Sequence, residues 1–180
     1  LARALTAPPD TAFQIWFLVG YAVNFASAYY VLRRFGTSLP AACMGALIFA
    51  FALPTSAHAG HAQLHYRFGI PLSVLYFALF LETRQLRYLA VSTLWLSWQF
   101  CCSIYMGFFA FLLLVGMIIC HIVFDVLADR SSFRRILESI LLDWSRTSSR
   151  TKVFIIVVVA LSFLAMLLLF YPYLQVARLY

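Results

Sequence analysis

The run Val153–Tyr171 constrains this chain more than any other feature. It has 19 residues, no charged side chain, and Pro172 directly after it. A helix rises about 1.5 Å per residue, so about 20 apolar residues cross the roughly 30 Å of bilayer hydrocarbon. A second run, Ala12–Leu32, has 21 residues and ends at Arg33-Arg34. Secretory signal cores are shorter, about 7–15 residues, so this run also reads as a spanning helix. The chain opens at Leu1 rather than Met, and its natural start is expected upstream.

Composition fits that reading. The chain is 64% hydrophobic and 11% charged, against about 45–50% and about 25% in soluble domains. A transmembrane β-barrel would show alternating segments of about ten residues, and none occur. The expected fold is all-α: one polytopic transmembrane helix bundle, residues 1–180, with about six spans at the ~20 residues each needs. They are placed near 12–32, 40–57, 66–82, 88–103, 105–127 and 153–171. Pro40 suits a helix start. The third span is long enough only if it begins near Leu64 or tilts. Between the fourth and fifth, Ser103–Gly107 must be a hairpin or a helix break.

The formal charge of +7 suggests nucleic acid, but its distribution gives a better account. Connections after the first, third and fifth spans hold ten of the 13 basic residues: Arg33, Arg34, Arg84, Arg87, Arg130, Arg134, Arg135, Arg146, Arg150 and Lys152. The positive-inside rule puts these in the cytoplasm. Both chain ends and the segment around His61 then face outward. In the longest basic connection Phe133, Ile136, Leu137, Ile140, Leu141 and Trp144 fall on one helical face. With Ser131 or Ser132 as cap, residues 132–145 read as an amphipathic helix on the inner leaflet. Its partners would be membrane lipids with anionic headgroups; a partner-protein helix is the rival reading.

Polar groups gather in Pro54–Arg67, which holds three of the four histidines. His58, His61 and His65 are spaced i, i+3, i+7 and would share one face of a helix. Imidazole works as acid, base or metal ligand near neutral pH. Gln63 adds an amide, and Arg67 could hold a phosphate through paired hydrogen bonds. The plainer alternative is a polar outer loop whose histidines cap helices or meet headgroups. No acidic residue accompanies the cluster, and no cofactor is called for; the HxxH and HxxxH spacings leave a divalent metal open. Tyr105 and Gln99 could face an outward cavity, or serve as an interfacial tyrosine and an interhelical hydrogen bond. Gln14, Asn24 and Ser27 read as interhelical glue, and His121 as a packing residue. Cys43, Cys101, Cys102 and Cys120 lie in apolar runs and read as small hydrophobes. No paired carboxylate, glycine-rich phosphate loop or Ser/His/Asp set is present.

The order of features resembles one known group. Tyr29-Tyr30-Val31-Leu32-Arg33-Arg34-Phe35-Gly36 precedes Gly45-Ala46-Leu47-Ile48-Phe49-Ala50-Phe51-Ala52. Pro54, His58, Gly60-His61-Ala62-Gln63-Leu64 and Ile70-Pro71-Leu72 follow, then Trp98-Gln99 and Ser103-Ile104-Tyr105-Met106-Gly107. This resembles bacterial integral-membrane proteins of the GT-C glycosyltransferase type. Leu53-Pro54-Thr55 stands where that group commonly has Ser-Pro-Tyr. The resemblance implies a lipid-linked sugar donor, a polyprenyl-phosphate sugar, and transfer outside the cytoplasmic (inner) membrane of a bacterium. It implies a catalytic aspartate in an outer loop upstream of Leu1, with no catalytic residue in this stretch. His58, His61, Gln63, His65, Arg67 and Tyr105 would then be substrate-binding, and no metal ligand is assigned. A lipid or polysaccharide transporter and a non-catalytic assembly protein are the alternatives.

Overall fold

The computed structural model describes residues 8–51, 64–127 and 133–176. Every regular element among them is helical: α1 (Pro9–Arg34), α2 (Leu39–Phe51), α3 (Gly69–Thr83), α4 (Leu86–Cys102), α5 (Ile104–Leu127), α6 (Phe133–Arg146) and α7 (Ser149–Val176). Three of them, α1, α5 and α7, are long and apolar enough to cross a membrane. Large apolar side chains stand exposed along them, including Leu18, Phe109, Phe124, Phe163 and Leu168. Solvated proteins avoid apolar surface of that extent, so hydrocarbon is its natural surrounding. The chain divides into two compact units, Leu1–Leu72 and Ser73–Tyr180, with the boundary inside α3.

In the first unit α1 ends where the sequence supplies a left-handed residue. Gly36 has φ 82°. Its N–H reaches the Arg33 carbonyl at 3.1 Å, and Thr37 N–H reaches that of Leu32 at 3.2 Å. This is the Schellman closure, which glycine adopts without a Cβ penalty. The Thr37 hydroxyl also donates to the Leu32 carbonyl at 2.8 Å. The chain therefore reverses sharply, and α2 packs back on α1. Ala42, Ala46 and Ala50, four residues apart, are fully buried. Gly20, Asn24, Ser27, Ala28 and Val31 are the buried residues of α1. Small side chains at this spacing let two backbones approach where lipid supplies no hydrophobic drive.

In the second unit α4 is the hub. It packs along α5 and α7 and touches α6. Phe77 and Phe80 of α3 meet Leu114 of α5, flanked by Leu89 and Leu96 of α4. Ala90 of α4 meets Ile155 and Val158 of α7, with Trp144 of α6 alongside. The Ser92 hydroxyl donates to the Ser73 carbonyl at 2.9 Å. Asp143 of α6 accepts the first amide of α4, Leu86 N–H, at 3.0 Å, and so satisfies a helix-start donor from another element.

Several expected boundaries change. The third span, expected at 66–82, becomes a helix only at Gly69; its 15 residues cover about 22 Å. The backbone before it is held off helical geometry by Asn24, as described below. Pro172 does not stop the last helix, which runs from Ser149 to Val176 with the proline inside it. Proline removes one amide donor and crowds one turn, a defect that helices of membrane-spanning length tolerate. Between α4 and α5 the break is a single extended residue, Ser103 (φ −162°, ψ 119°). Gly107 makes so tight a connection possible, because a Cβ there would lie 2.7 Å from Phe100 Cα. The span expected at 40–57 is helical through Phe51, and its remainder lies outside the described residues, as do Ser131 and Ser132.

Candidate functional site

The site grows from an omission on α1. A Cβ at Gly20 would collide with Cδ2 and Nε2 of His65, so the glycine leaves the space in which that imidazole lies. The ring is 3% exposed, and its Nε2 is 2.8 Å from the Phe17 carbonyl. A carbonyl only accepts, so Nε2 carries a hydrogen. Nδ1 is buried without a hydrogen-bond partner. The rings of Phe17 and Tyr21 each lie 4.5 Å from the imidazole, centroid to centroid, and Trp16 lies 5.4 Å away.

Asn24, fully buried, holds the next peptide units like a short strand partner. Its Nδ2 donates to the His65 carbonyl at 2.8 Å, and its Oδ1 accepts the Arg67 amide at 2.9 Å. The Tyr66 hydroxyl donates to the Trp16 carbonyl at 2.8 Å. The Arg67 guanidinium donates through Nη2 to the Phe49 carbonyl at 2.8 Å and lies 5.2 Å over the Phe49 ring. The non-helical His65–Arg67 stretch is thus bound to α1 and α2 by both backbone and side chains. Asn24 is ten residues before the end of α1, about 15 Å along a helix of this rise. Non-helical backbone, an imidazole and a guanidinium therefore lie beside the middle of a helix long enough to span a membrane.

The proposed set is only partly brought together. His65 and Arg67 share this site, whereas His58, His61 and Gln63 lie outside the described residues. His65 sits in a turn, not on the helical face that the i, i+3, i+7 spacing would give. Tyr105 belongs to the second unit, where it is 71% exposed at the start of α5. Asn24 is buried as expected, but it binds backbone rather than a polar side chain of another helix. Ser27 donates locally to the Asn24 carbonyl, and Gln14 is exposed. All four cysteines are free.

A second polar group escapes the sequence reading. His121 is joined to Arg84 and Asp125, with Arg84 Nη2 2.5 Å from His121 Nε2. The spacing of His121 and Asp125, one turn apart, was the available signal; the approach of Arg84 from 37 positions away was not visible. Nearby in the same unit, Gln85, Arg87, Asp143, Thr147, Ser148 and Thr151 line a polar cavity of about 250 Å³. Among the described residues no group of three metal-ligating side chains converges. Compared with protein-family models, curated proteins and solved structures, the chain gives no match.

Proposed function

We propose that this chain is part of an integral-membrane glycosyltransferase of the GT-C type, which takes a polyprenyl-phosphate-linked sugar at the outer face of a bacterial cytoplasmic membrane. The observation that carries this reading is the His65–Arg67 stretch docked beside the middle of α1. Irregular backbone at such depth belongs where protein lines a cavity, and an intramembrane cation marks a site by default. Arg67 would neutralise the donor phosphate as it leaves. His58, His61 and Gln63 would position donor or acceptor hydroxyls. The physical contributions are positioning and charge stabilisation.

The remaining features take their places in the same reading. The chain crosses six times with the basic connections inside. The helix α6 lies along the inner leaflet; its exposed Leu141 and Leu142 enter the acyl region, and Arg146 meets anionic headgroups. A transporter would want polar groups along a path. Asn24 and His121, two of the candidates for one, are engaged in local bonds.

The test is sugar transfer by the complete protein in proteoliposomes supplied with a polyprenyl-phosphate sugar. Arg67→Gln should lower kcat about 100-fold, as loss of a charge-stabilising donor does, with Arg67→Lys recovering part of it. Undiminished transfer by a folded Arg67→Gln protein would remove this stretch from the site. Lipid movement without a glycosidic product would replace the proposal with transport.

A further inference from the structure

We propose that the polar cavity where α4 and α7 begin and α6 ends binds the headgroup of an aminophospholipid, a lipid that carries both a phosphate and a primary ammonium. Gln85, Arg87, Asp143, Thr147, Ser148 and Thr151 line this cavity of about 250 Å³. Sites for drug-sized ligands run to about 300–1,000 Å³, so the space fits a headgroup better than a whole cofactor. Its walls hold one cation and one carboxylate, and among the described residues neither is ion-paired. Arg87 donates through Nη2 to the neutral Tyr88 hydroxyl at 3.1 Å and lies 4.8 Å over the Tyr88 ring. A guanidinium has several further N–H donors, and it binds phosphate oxygens in pairs. Asp143 Oδ2 accepts the Leu86 amide at 3.0 Å, a neutral donor. A carboxylate has lone pairs to spare beyond that one bond, and an ammonium is their natural partner.

The helix α7 sets the depth of the cavity. Its charge-free run Val153–Tyr171 has 19 residues, about 28 Å of helix against roughly 30 Å of hydrocarbon. Thr151 stands just before that run, and its amide closes on Ser148 Oγ at 3.3 Å. When α7 crosses a bilayer, the cavity therefore opens at the level of the headgroups. Aromatic side chains mark the same level: Tyr88 beside Arg87, and Trp144, whose ring lies 5.5 Å from Lys152 Nζ. Tyrosine and tryptophan gather at this boundary. Phe154, Val157 and Leu161, which follow Thr151 along one side of α7, are exposed. They give acyl chains an apolar track leading away from the cavity.

The carboxylate decides which headgroup fits. Phosphatidylglycerol would satisfy Arg87 but set its negative charge against Asp143. Phosphatidylcholine brings a cation whose methyl groups leave it no N–H for the carboxylate. Phosphatidylethanolamine brings a phosphate for Arg87 and an ammonium that donates to Asp143. The hydroxyls complete a polar wall without adding charge. The Ser148 and Thr151 oxygens lie 3.0 Å apart, and the Thr147 hydroxyl donates to the Asp143 carbonyl at 2.6 Å. Arg146 and Arg150 are exposed nearby in the chain; they attract phosphate to this end of the bundle but do not line the cavity. The site requires that α7 cross a bilayer and does not depend on the glycosyltransferase reading.

The complete protein in detergent micelles, titrated with lipids of matched acyl chains and read by native mass spectrometry, provides the test. Phosphatidylethanolamine should bind at least about tenfold more tightly than phosphatidylcholine or phosphatidylglycerol, the factor that one charge-assisted hydrogen bond carries. Asp143→Asn keeps an acceptor for the Leu86 amide but loses the charge. It should weaken phosphatidylethanolamine about tenfold and leave phosphatidylglycerol no weaker. Arg87→Gln should weaken both lipids. Equal binding of the three lipids by wild type, or a preference for phosphatidylglycerol, would overturn the site, and this comparison needs no variant. An undiminished preference in folded Asp143→Asn would overturn it equally. Glycerophosphoethanolamine, the same headgroup without acyl chains, should displace the lipid only weakly even in large excess. Displacement at concentrations equal to the lipid's would make the occupant a soluble phosphoester and overturn the lipid assignment.

Discussion

Asn24→Ala tests most directly whether the docked stretch is held as described. The side chain makes two bonds to backbone 41 and 43 positions away, at 2.8 and 2.9 Å, in a fully buried position. Removing it strands the His65 carbonyl and the Arg67 amide. A stranded buried backbone group costs about 1–3 kcal/mol in a water-referenced protein. Polar bonds measured inside membranes average about 0.6 and reach about 1.7 kcal/mol, because the unfolded chain in lipid finds other partners. Two bonds and a small void therefore give a loss of about 2 kcal/mol. Reversible unfolding in mixed micelles measures it, and residue-resolved hydrogen exchange localises it. The Arg67 amide should exchange about 5–30 times faster, the factor that one to two kcal/mol carries. Asn24→Asp separates the two bonds: it keeps an acceptor for Arg67 N–H but sets oxygen against the His65 carbonyl. Its Arg67 amide should stay protected while global stability falls. An alanine variant within about 0.5 kcal/mol of wild type, the ordinary range for surface changes, with unchanged Arg67 protection would refute the clamp.

Two further substitutions probe close approaches that only glycine allows. Gly20→Ala drives a methyl into the His65 ring, and overpacking of this kind costs about 1–3 kcal/mol. The double variant with His65→Ala should recover much of that in the same unfolding assay, because the colliding ring is gone. At Gly107 the obstacle is the Phe100 backbone, with Cα at 2.7 Å from the added Cβ. Gly107→Ala should therefore destabilise the α4–α5 turn by about 1–3 kcal/mol, and no side-chain truncation at Phe100 should restore it fully.

The helices were legible in the sequence because apolar run length and charge placement act locally. Val153–Tyr171 and Tyr105–Leu127 have no alternative to helix in hydrocarbon, where each backbone group must be satisfied within its own segment. Arg33-Arg34-Phe35-Gly36 marked the end of α1 for the same local reason: the left-handed glycine follows directly in the chain. Pro172 misled because proline's rule is also local, whereas the helix that contains it runs on to Val176.

The sequence by itself determined an all-helical chain with membrane-length elements, and it singled out His65 and Arg67 as groups needing an explanation. Only the tertiary structure decided what they do there. Periodicity tells which side of an element is hidden, not which atom it meets. The gap at Gly20, the grip of Asn24 and the approach of Arg84 to His121 join positions 37 to 45 residues apart. Hydrogen bonds of this kind depend on distance and direction in space, and spacing along the chain carries neither.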